Sequence, residues 1–266
     1  MERSSREVFE KKETFAKWDA DYYTPIAERY YDMAVPAMLR DLGVTPGERV
    51  LDAGCGPGVH AIRAAKAGMM VHAIDFSATA LEEAAARIAR AGVTSSVTIE
   101  QADLTALPFG DGSFRAIFSW GVIIHIPEVD RALSELARIL TRGGRIALYV
   151  LNRSALDPKI ESFARFLLRR PPPAQERLAL GTRTWFNLDG ETLCLWRFDI
   201  TALTRRMAEL GLVLRGRRAG EFSEMQLRFR GPTRAVLQQF NNFYATAGLP
   251  ARFAIANLLV FEKSEA

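Results

Sequence analysis

The stretch V-L-D-A-G-C-G-P-G at 50–58 limits what this chain can fold into more than any other. An apolar run ends on an acid, and the chain then turns through glycines at every second position. The run R-V-L-D-A (49–53) reads as a buried strand, and a helix at about 58–67 follows the turn. The same alternation continues downstream. Strand 69–75 precedes a helix from Ser77 to Arg90, with Ser77 as its N-cap, Leu81, Ala85 and Ile88 on one face, and Gly92 just past its end. Strands at 97–101 and 114–120 come next. A helix at 128–140 carries Val129, Leu133, Leu136 and Leu140 on one side, Gly143-Gly144 stops it, and strand 145–151 follows. Strands joined through helices build a parallel sheet, because parallel neighbours need a crossover.

The remaining segments frame this core. Residues 1–42 read as a helical lid, broken at D-Y-Y-T-P (21–25), since proline disfavours helix in the residue before it. Residues 43–152 form the ligand-binding core. Residues 153–199 leave the alternation: a helix at about 158–169 ends at P-P-P (171–173). A hairpin then runs R-T-W-F-N-L, turns at Asp189-Gly190 and returns as E-T-L-C-L-W-R-F. This segment is too long for a simple crossover and reads as a cap insertion. Residues 200–266 rejoin the sheet through a helix at 201–210, strand 212–219, a helix at about 232–246 and strand 252–262. The expected fold is α/β, one domain over 1–266, with a doubly wound, mostly parallel seven-stranded, Rossmann-like sheet, N-terminal helices and a cap.

Composition excludes several classes. The net charge of +4 lacks the dense basic stripe of a nucleic-acid-binding domain. Two cysteines, Cys55 and Cys194, make neither a metal-ligand spacing nor a disulfide framework, which fits a reduced cytoplasmic setting. Residues Met1–Glu13 are rich in charge and lack the apolar stretch of a signal peptide, and no apolar run approaches the roughly 20 residues of a membrane helix.

The glycine turn narrows the ligand. A dinucleotide fingerprint is G-x-G-x-x-G, but here Gly54, Gly56 and Gly58 give G-x-G-x-G, and Val59 fills the slot of the third glycine. No G-x-x-x-x-G-K-[ST] phosphate loop is present. Asp52, at the start of the turn, repels a pyrophosphate and suits a positively charged ligand. Asp75, about 20 residues on at the end of the next strand, stands where a carboxylate takes two ribose hydroxyls. A ribose without phosphate, carrying positive charge, describes S-adenosylmethionine.

With these residues in place the chain resembles the class I S-adenosylmethionine-dependent methyltransferases. The matching stretches are V-L-D-A-G-C-G-P-G (50–58), A-I-D-F-S (73–77), Q-A-D-L (101–104), L-P-F-G-D-G-S-F (107–114) and L-T-R-G-G-R (140–145). Their order and spacing match over 49–151, and the likeness is strongest to the small-molecule branch that includes quinone-type methyltransferases. The resemblance implies that Asp52, Gly54, Cys55, Gly56 and Gly58 line the methionine end of the cofactor. It implies that Asp75 holds the ribose, Phe76 and Leu104 flank the adenine, and Asp103 reaches its amino group. Trp120 and Gly121 would border the sulfonium, and Tyr31 from the lid would touch the cofactor.

Methyl transfer asks the protein to position a nucleophile and exclude water. A base is needed only where the nucleophile carries a proton. Of three histidines, His60 and His72 read as structural, and His125, after the strand that flanks the cofactor, is the candidate base. The plainer alternative for His125 is a hydrogen bond to loop backbone. Tyr23, Trp185 and Glu221 are candidate acceptor contacts, and no metal is expected. The expected activity is transfer to a small, partly apolar molecule at oxygen, nitrogen or carbon. No nucleic-acid partner or membrane insertion is expected, and the oligomeric state stays open. Three alternatives also stay open. They are an RNA or protein methyltransferase using the arginines of 165–170, 204–206 and 215–218, a nicotinamide-dependent oxidoreductase, and a non-catalytic binding protein.

Overall fold

A computed structural model of the chain describes residues 5–169, 171, 174–188 and 190–265. It opens with α1 (Arg6–Phe9), α2 (Lys12–Tyr22) and α3 (Pro25–Asp41). The break between α2 and α3 falls where the proline requires it. Thr24 Oγ1 accepts the Ala27 N–H at 3.3 Å, and Pro25 takes the first helical position, where no N–H is needed.

The alternating core follows as β1 (Arg49–Ala53), α4 (Val59–Lys66), β2 (Met70–Asp75), α5 (Ala78–Arg90), β3 (Val97–Gln101), β4 (Phe114–Trp120), α6 (Val129–Ile139) and β5 (Leu140–Leu151). Residues 50–53 of β1 are buried on both faces, which is why that strand reads as a continuous apolar run ending on an acid. Helix α5 is capped by Ser77 Oγ, which accepts the Ala80 N–H at 3.0 Å, and it buries Ala80, Leu81, Ala84 and Ile88. One boundary differs from expectation. Helix α6 stops at Ile139, and Gly143-Gly144 lie inside β5. The register of β4 against β5 shifts between Phe114 and Ala116, and a Cβ on Gly144 would stand 2.7 Å from the Arg115 carbonyl oxygen. The glycine therefore serves a bulge, not a helix end.

Past β5 come α7 (Leu156–Leu167), β6 (Glu176–Leu178), β7 (Gly181–Leu188) and β8 (Glu191–Phe198). The expected hairpin is β7–β8, with Trp185 opposite Cys194, and β6 adds a third antiparallel strand that the sequence did not announce. Asp189 of its turn, Pro172-Pro173 and Arg170 lie outside the described residues. The chain returns to the main sheet with α8 (Ile200–Glu209), β9 (Leu212–Ala219), α9 (Gly231–Thr246) and β10 (Ala256–Lys263). The last strand begins at Ala256 and not at 252, because Ala251–Phe253 forms a 3₁₀ turn.

Among the described residues the main sheet has seven strands in the order β3-β2-β1-β4-β5-β10-β9, and only β10 runs antiparallel. The order reverses between β1 and β4. The carboxyl ends of β1, β2, β4, β5 and β9 therefore share one edge, where ligands bind in open α/β sheets. That edge gathers the glycine turn, Asp75, Trp120, Tyr149 and Glu221.

Candidate active site

The glycine turn is built from both sides. Gly54 has φ +88°, and a Cβ there would lie 2.4 Å from Val122 Cγ1, so the loop after β4 packs directly on its backbone. Gly56 has φ +50°, but a Cβ there would meet nothing within 4 Å. A Cβ on Gly121 would likewise meet nothing within 4 Å. The Cys55 thiol is buried, its pKa is pushed up by that burial, and its Sγ points at the Gly56 carbonyl at 3.5 Å.

Asp75 ties the turn to the second strand. One carboxylate oxygen accepts the Gly56 N–H at 2.8 Å, and the other accepts the Ser77 N–H at 3.0 Å. Each oxygen keeps a lone pair for another donor. Burial raises the carboxyl above its ordinary range despite these bonds. Asp103 is held the other way. Burial works to raise it, but the Thr105 N–H and hydroxyl, both at 2.8 Å, and the Arg6 guanidinium bring it below the usual range. Leu104 is buried beside it.

The lid closes over this side. Arg6 pairs with Asp103 and also stands 5.0 Å over the Phe76 ring. Phe9 meets Phe76 edge-on at 5.8 Å, and Ser77 Oγ donates to the Phe9 carbonyl at 2.7 Å.

Beside the turn lies an aromatic cluster. Trp120 stacks on Tyr149 of the neighbouring strand at 4.4 Å and 12°, and its ring lies 4.8 Å from His60 and 6.0 Å from Tyr31. Tyr23 closes on Tyr31 at 5.8 Å and on His60 at 6.4 Å, with its phenol pushed up to about 12 by burial. The Tyr149 hydroxyl accepts the Glu221 N–H at 3.2 Å and shares a hydrogen bond with Tyr30. Glu221 is half-buried. Burial, then the nearby charge of Glu224, pushes its carboxyl up to about 7. Gln226 Nε2 donates to one of its oxygens at 3.2 Å.

Sequence reading took His60 as structural and did not single out Tyr149; the structure brings both rings against Trp120. His60 looked structural, yet its buried Nδ1 has no hydrogen-bond partner, and burial holds the ring neutral with a pKa of about 3. The signal was its place two residues after Gly58 at the start of α4. His125 belongs elsewhere. Its Nδ1–H donates to the Cys194 carbonyl at 2.8 Å, and its ring stacks on Trp18 at 6.1 Å, so it ties lid, loop and cap together. Burial depresses it to about 4, which leaves a weak base. Trp185 is not brought to the cluster either. Its Nε1 donates to Glu176 at 3.2 Å, and with Phe186 and Thr192 it lines a cap cavity of about 390 Å³.

The turn also carries an unsatisfied carboxyl. Asp52 is buried with one carboxylate oxygen unpaired, and burial together with the Asp75 charge raises it well above the carboxylate range. A buried polar atom without a partner is costly, and a cationic ligand group brought to it would satisfy it. The ammonium and sulfonium of S-adenosylmethionine fit that requirement, and Asp75 fits its ribose.

A doubly wound sheet with this edge defines an α/β protein that binds a cationic nucleoside. A methyltransferase-domain family model matches residues 50–144. An uncharacterized protein of Mycobacterium tuberculosis (strain H37Rv) is 32% identical over 195 residues, 73% of this chain and 68% of that one. The 27-O-demethylrifamycin SV methyltransferase of Amycolatopsis mediterranei is 39% identical over 108 residues, 40% of each chain. The solved magnesium protoporphyrin IX methyltransferase from Synechocystis, with bound S-adenosylhomocysteine, shares the fold. Its TM-score is 0.64 at 19% identity, over 97% of this chain and 98% of that one. The chain belongs to the class I S-adenosylmethionine-dependent methyltransferases.

Proposed function

We propose that this enzyme methylates a small, partly apolar acceptor held against Trp120, Tyr30, Tyr149 and Glu221, and that Glu221 takes the acceptor's proton. The observation that carries this reading is the backbone tie of Glu221 to the site: its N–H donates to the hydroxyl of Tyr149, whose ring stacks on Trp120. The tie keeps residue 221 at the sheet edge, and its carboxyl, bonded by Gln226 Nε2, is pushed up to about 7 by burial and by the charge of Glu224. A base is most effective when its pKa lies near the working pH.

When bound, S-adenosylmethionine supplies a methyl group already activated by its sulfonium. The chain's residues do the rest. Asp75 orients the ribose, Phe76 and Leu104 hold the base, and Asp103 takes its amino group once Arg6 gives way. Asp52 and His60 hold the methionine end, with Tyr31 above them. Trp120 and Tyr149 exclude water and favour an apolar acceptor body, while the tyrosine hydroxyls and Glu221 orient its reacting group. The rifamycin-type relative, named for methylation of a small molecule, supports the acceptor class. So does the state of the arginine stretches. Arg206 is paired with Asp130 at 2.6 Å, Arg215 with Glu262 at 2.7 Å and Arg218 with Asp41 at 2.6 Å, rather than gathered into an unpaired stripe for RNA.

Two measurements test the reading. Mass spectrometry of molecules released from the denatured protein should find S-adenosylhomocysteine and a co-purified acceptor of low mass. With that acceptor, kcat should rise with pH through about 7 and level off. Glu221→Gln should lower kcat by about 10²–10⁴-fold and flatten the profile, with cofactor affinity intact. An unchanged profile in the variant removes Glu221 as the base.

A further inference from the structure

Helix α7 is amphipathic in the reverse sense. A helix on a globular body ordinarily turns its apolar stripe inward. Here the polar face makes the attachment. Asp157 accepts the Ser223 hydroxyl at 2.7 Å and the Glu224 N–H at 2.9 Å, and Glu161 holds Arg228 at 3.0 Å and Arg165 at 3.2 Å. The other face presents Ile160, Phe163, Phe166 and Leu167, which are 50%, 63%, 77% and 64% exposed. At about 100° per residue these four share roughly a third of the helix circumference. One exposed apolar residue needs no explanation, but four on one helix face mark an interaction surface.

The charge pattern selects the partner. Both acids of α7 are spent inward on the body. Lys159 lies within the apolar arc and Arg169 just past the helix end, both exposed and neither in an ion pair among the described residues. The 3₁₀ turn Met225–Arg228, clamped to α7 through Arg228, leads on to α9, which contains no acidic residue and leaves Val236 and Phe243 mostly exposed. An apolar stripe edged with cations and free of unpaired acids suits an anionic lipid surface. A second copy docked face to face about a two-fold axis would set these unpaired cations against each other.

We propose that α7 seats the protein on an anionic membrane surface. Phe163, Phe166 and Leu167 enter the headgroup boundary, while Lys159 and Arg169 meet lipid phosphates. The attachment is peripheral, since no described helix is long and apolar enough to cross a membrane.

The test uses the full chain with sedimenting vesicles of equal parts phosphatidylcholine and phosphatidylglycerol, and with vesicles of phosphatidylcholine alone. The protein should sediment with the anionic vesicles, much less with the neutral ones, and be released by added salt. Combining Phe163→Ser with Phe166→Ser should lower the partition about tenfold or more. Both positions face solvent, so thermal stability and S-adenosylhomocysteine affinity should hold, which separates this result from any failure of the methyl-transfer reading. Three outcomes would overturn the proposal: no sedimentation with anionic vesicles, binding by the variant at the wild-type level, or a dimer in sedimentation velocity that the double substitution dissolves. The last would assign the face to a second copy.

Discussion

Alanine substituted separately at Gly54 and at Gly56 should damage the protein in two different ways, although both positions have positive φ. Each variant carries left-handed strain of roughly 1–2 kcal/mol. At Gly54 the new methyl group also falls 2.4, 2.7 and 2.9 Å from Cγ1, Cγ2 and Cβ of Val122. Val122 is β-branched and stiff at χ1, so relief requires movement of the loop after β4, adding about 1–3 kcal/mol. At Gly56 nothing lies within 4 Å, and strain is the whole stability effect. In a chain of this size 1 kcal/mol moves Tm by about 2–4 °C. Gly56→Ala should therefore melt about 2–8 °C below wild type, and Gly54→Ala about 4–20 °C below. Binding should follow the opposite order of interest. The methyl group of Gly56→Ala fills the space before the turn, so the folded variant should lose at least about tenfold in S-adenosylhomocysteine affinity, or about 1.4 kcal/mol. Differential scanning fluorimetry gives the first quantity and titration calorimetry the second. Wild-type affinity in Gly56→Ala would refute the cradle, and equal melting of the two variants would refute the packing of Val122 on Gly54.

Two further outcomes follow from buried charge. Asp52 has a folded pKa raised above its unfolded value, so it subtracts stability as pH climbs out of the ordinary carboxylate range. Asp52→Asn should raise the ligand-free Tm at neutral pH yet weaken S-adenosylhomocysteine binding about tenfold or more, and a fall in both would refute the unpaired-anion account. His125 is depressed to about 4, so between pH 6.5 and 4 the unfolded chain binds a proton that the folded chain refuses. Stability should fall over that window by up to about 3 kcal/mol. Urea midpoints at either end of the window should separate less in His125→Gln, and identical separation in both proteins would refute burial of that ring.

Much of the frame was legible in the sequence because it is local. The strand–helix alternation, Ser77 at its N-cap, the break at Thr24-Pro25 and the spacing of the glycines depend on periodicity and backbone chemistry within a few residues. Asp75 was legible for a related reason, since a carboxylate at the end of the second strand has a fixed position relative to the turn. Those features set the parallel sheet, the switch-point edge and the nucleoside ligand. Elsewhere the same local rules misled. Gly143-Gly144 read as a helix stop because periodicity does not show a bulge, which exists only against the Arg115 carbonyl of the neighbouring strand. For His125 the sequence left a base and a backbone hydrogen bond open, and the structure supplies the second, to the Cys194 carbonyl 69 residues away.

What the sequence determined by itself was the scaffold, the family and the cofactor, because these rest on local periodicity and on the spacing of the glycines and acids. What only the tertiary structure decided was which distant side chains meet at the sheet edge. Glu221 meets Tyr149 across 72 residues of chain, and Glu221 and Glu224 would each pass for a solvated surface acid in isolation. In the folded chain both are partly withdrawn from solvent, and that burial raises both carboxyls, Glu221 to about 7. The outward stripe of α7 is decided in the same way. Its pattern announces an amphipathic helix, but which face meets the body depends on Ser223 and Arg228, which no helical period can reveal.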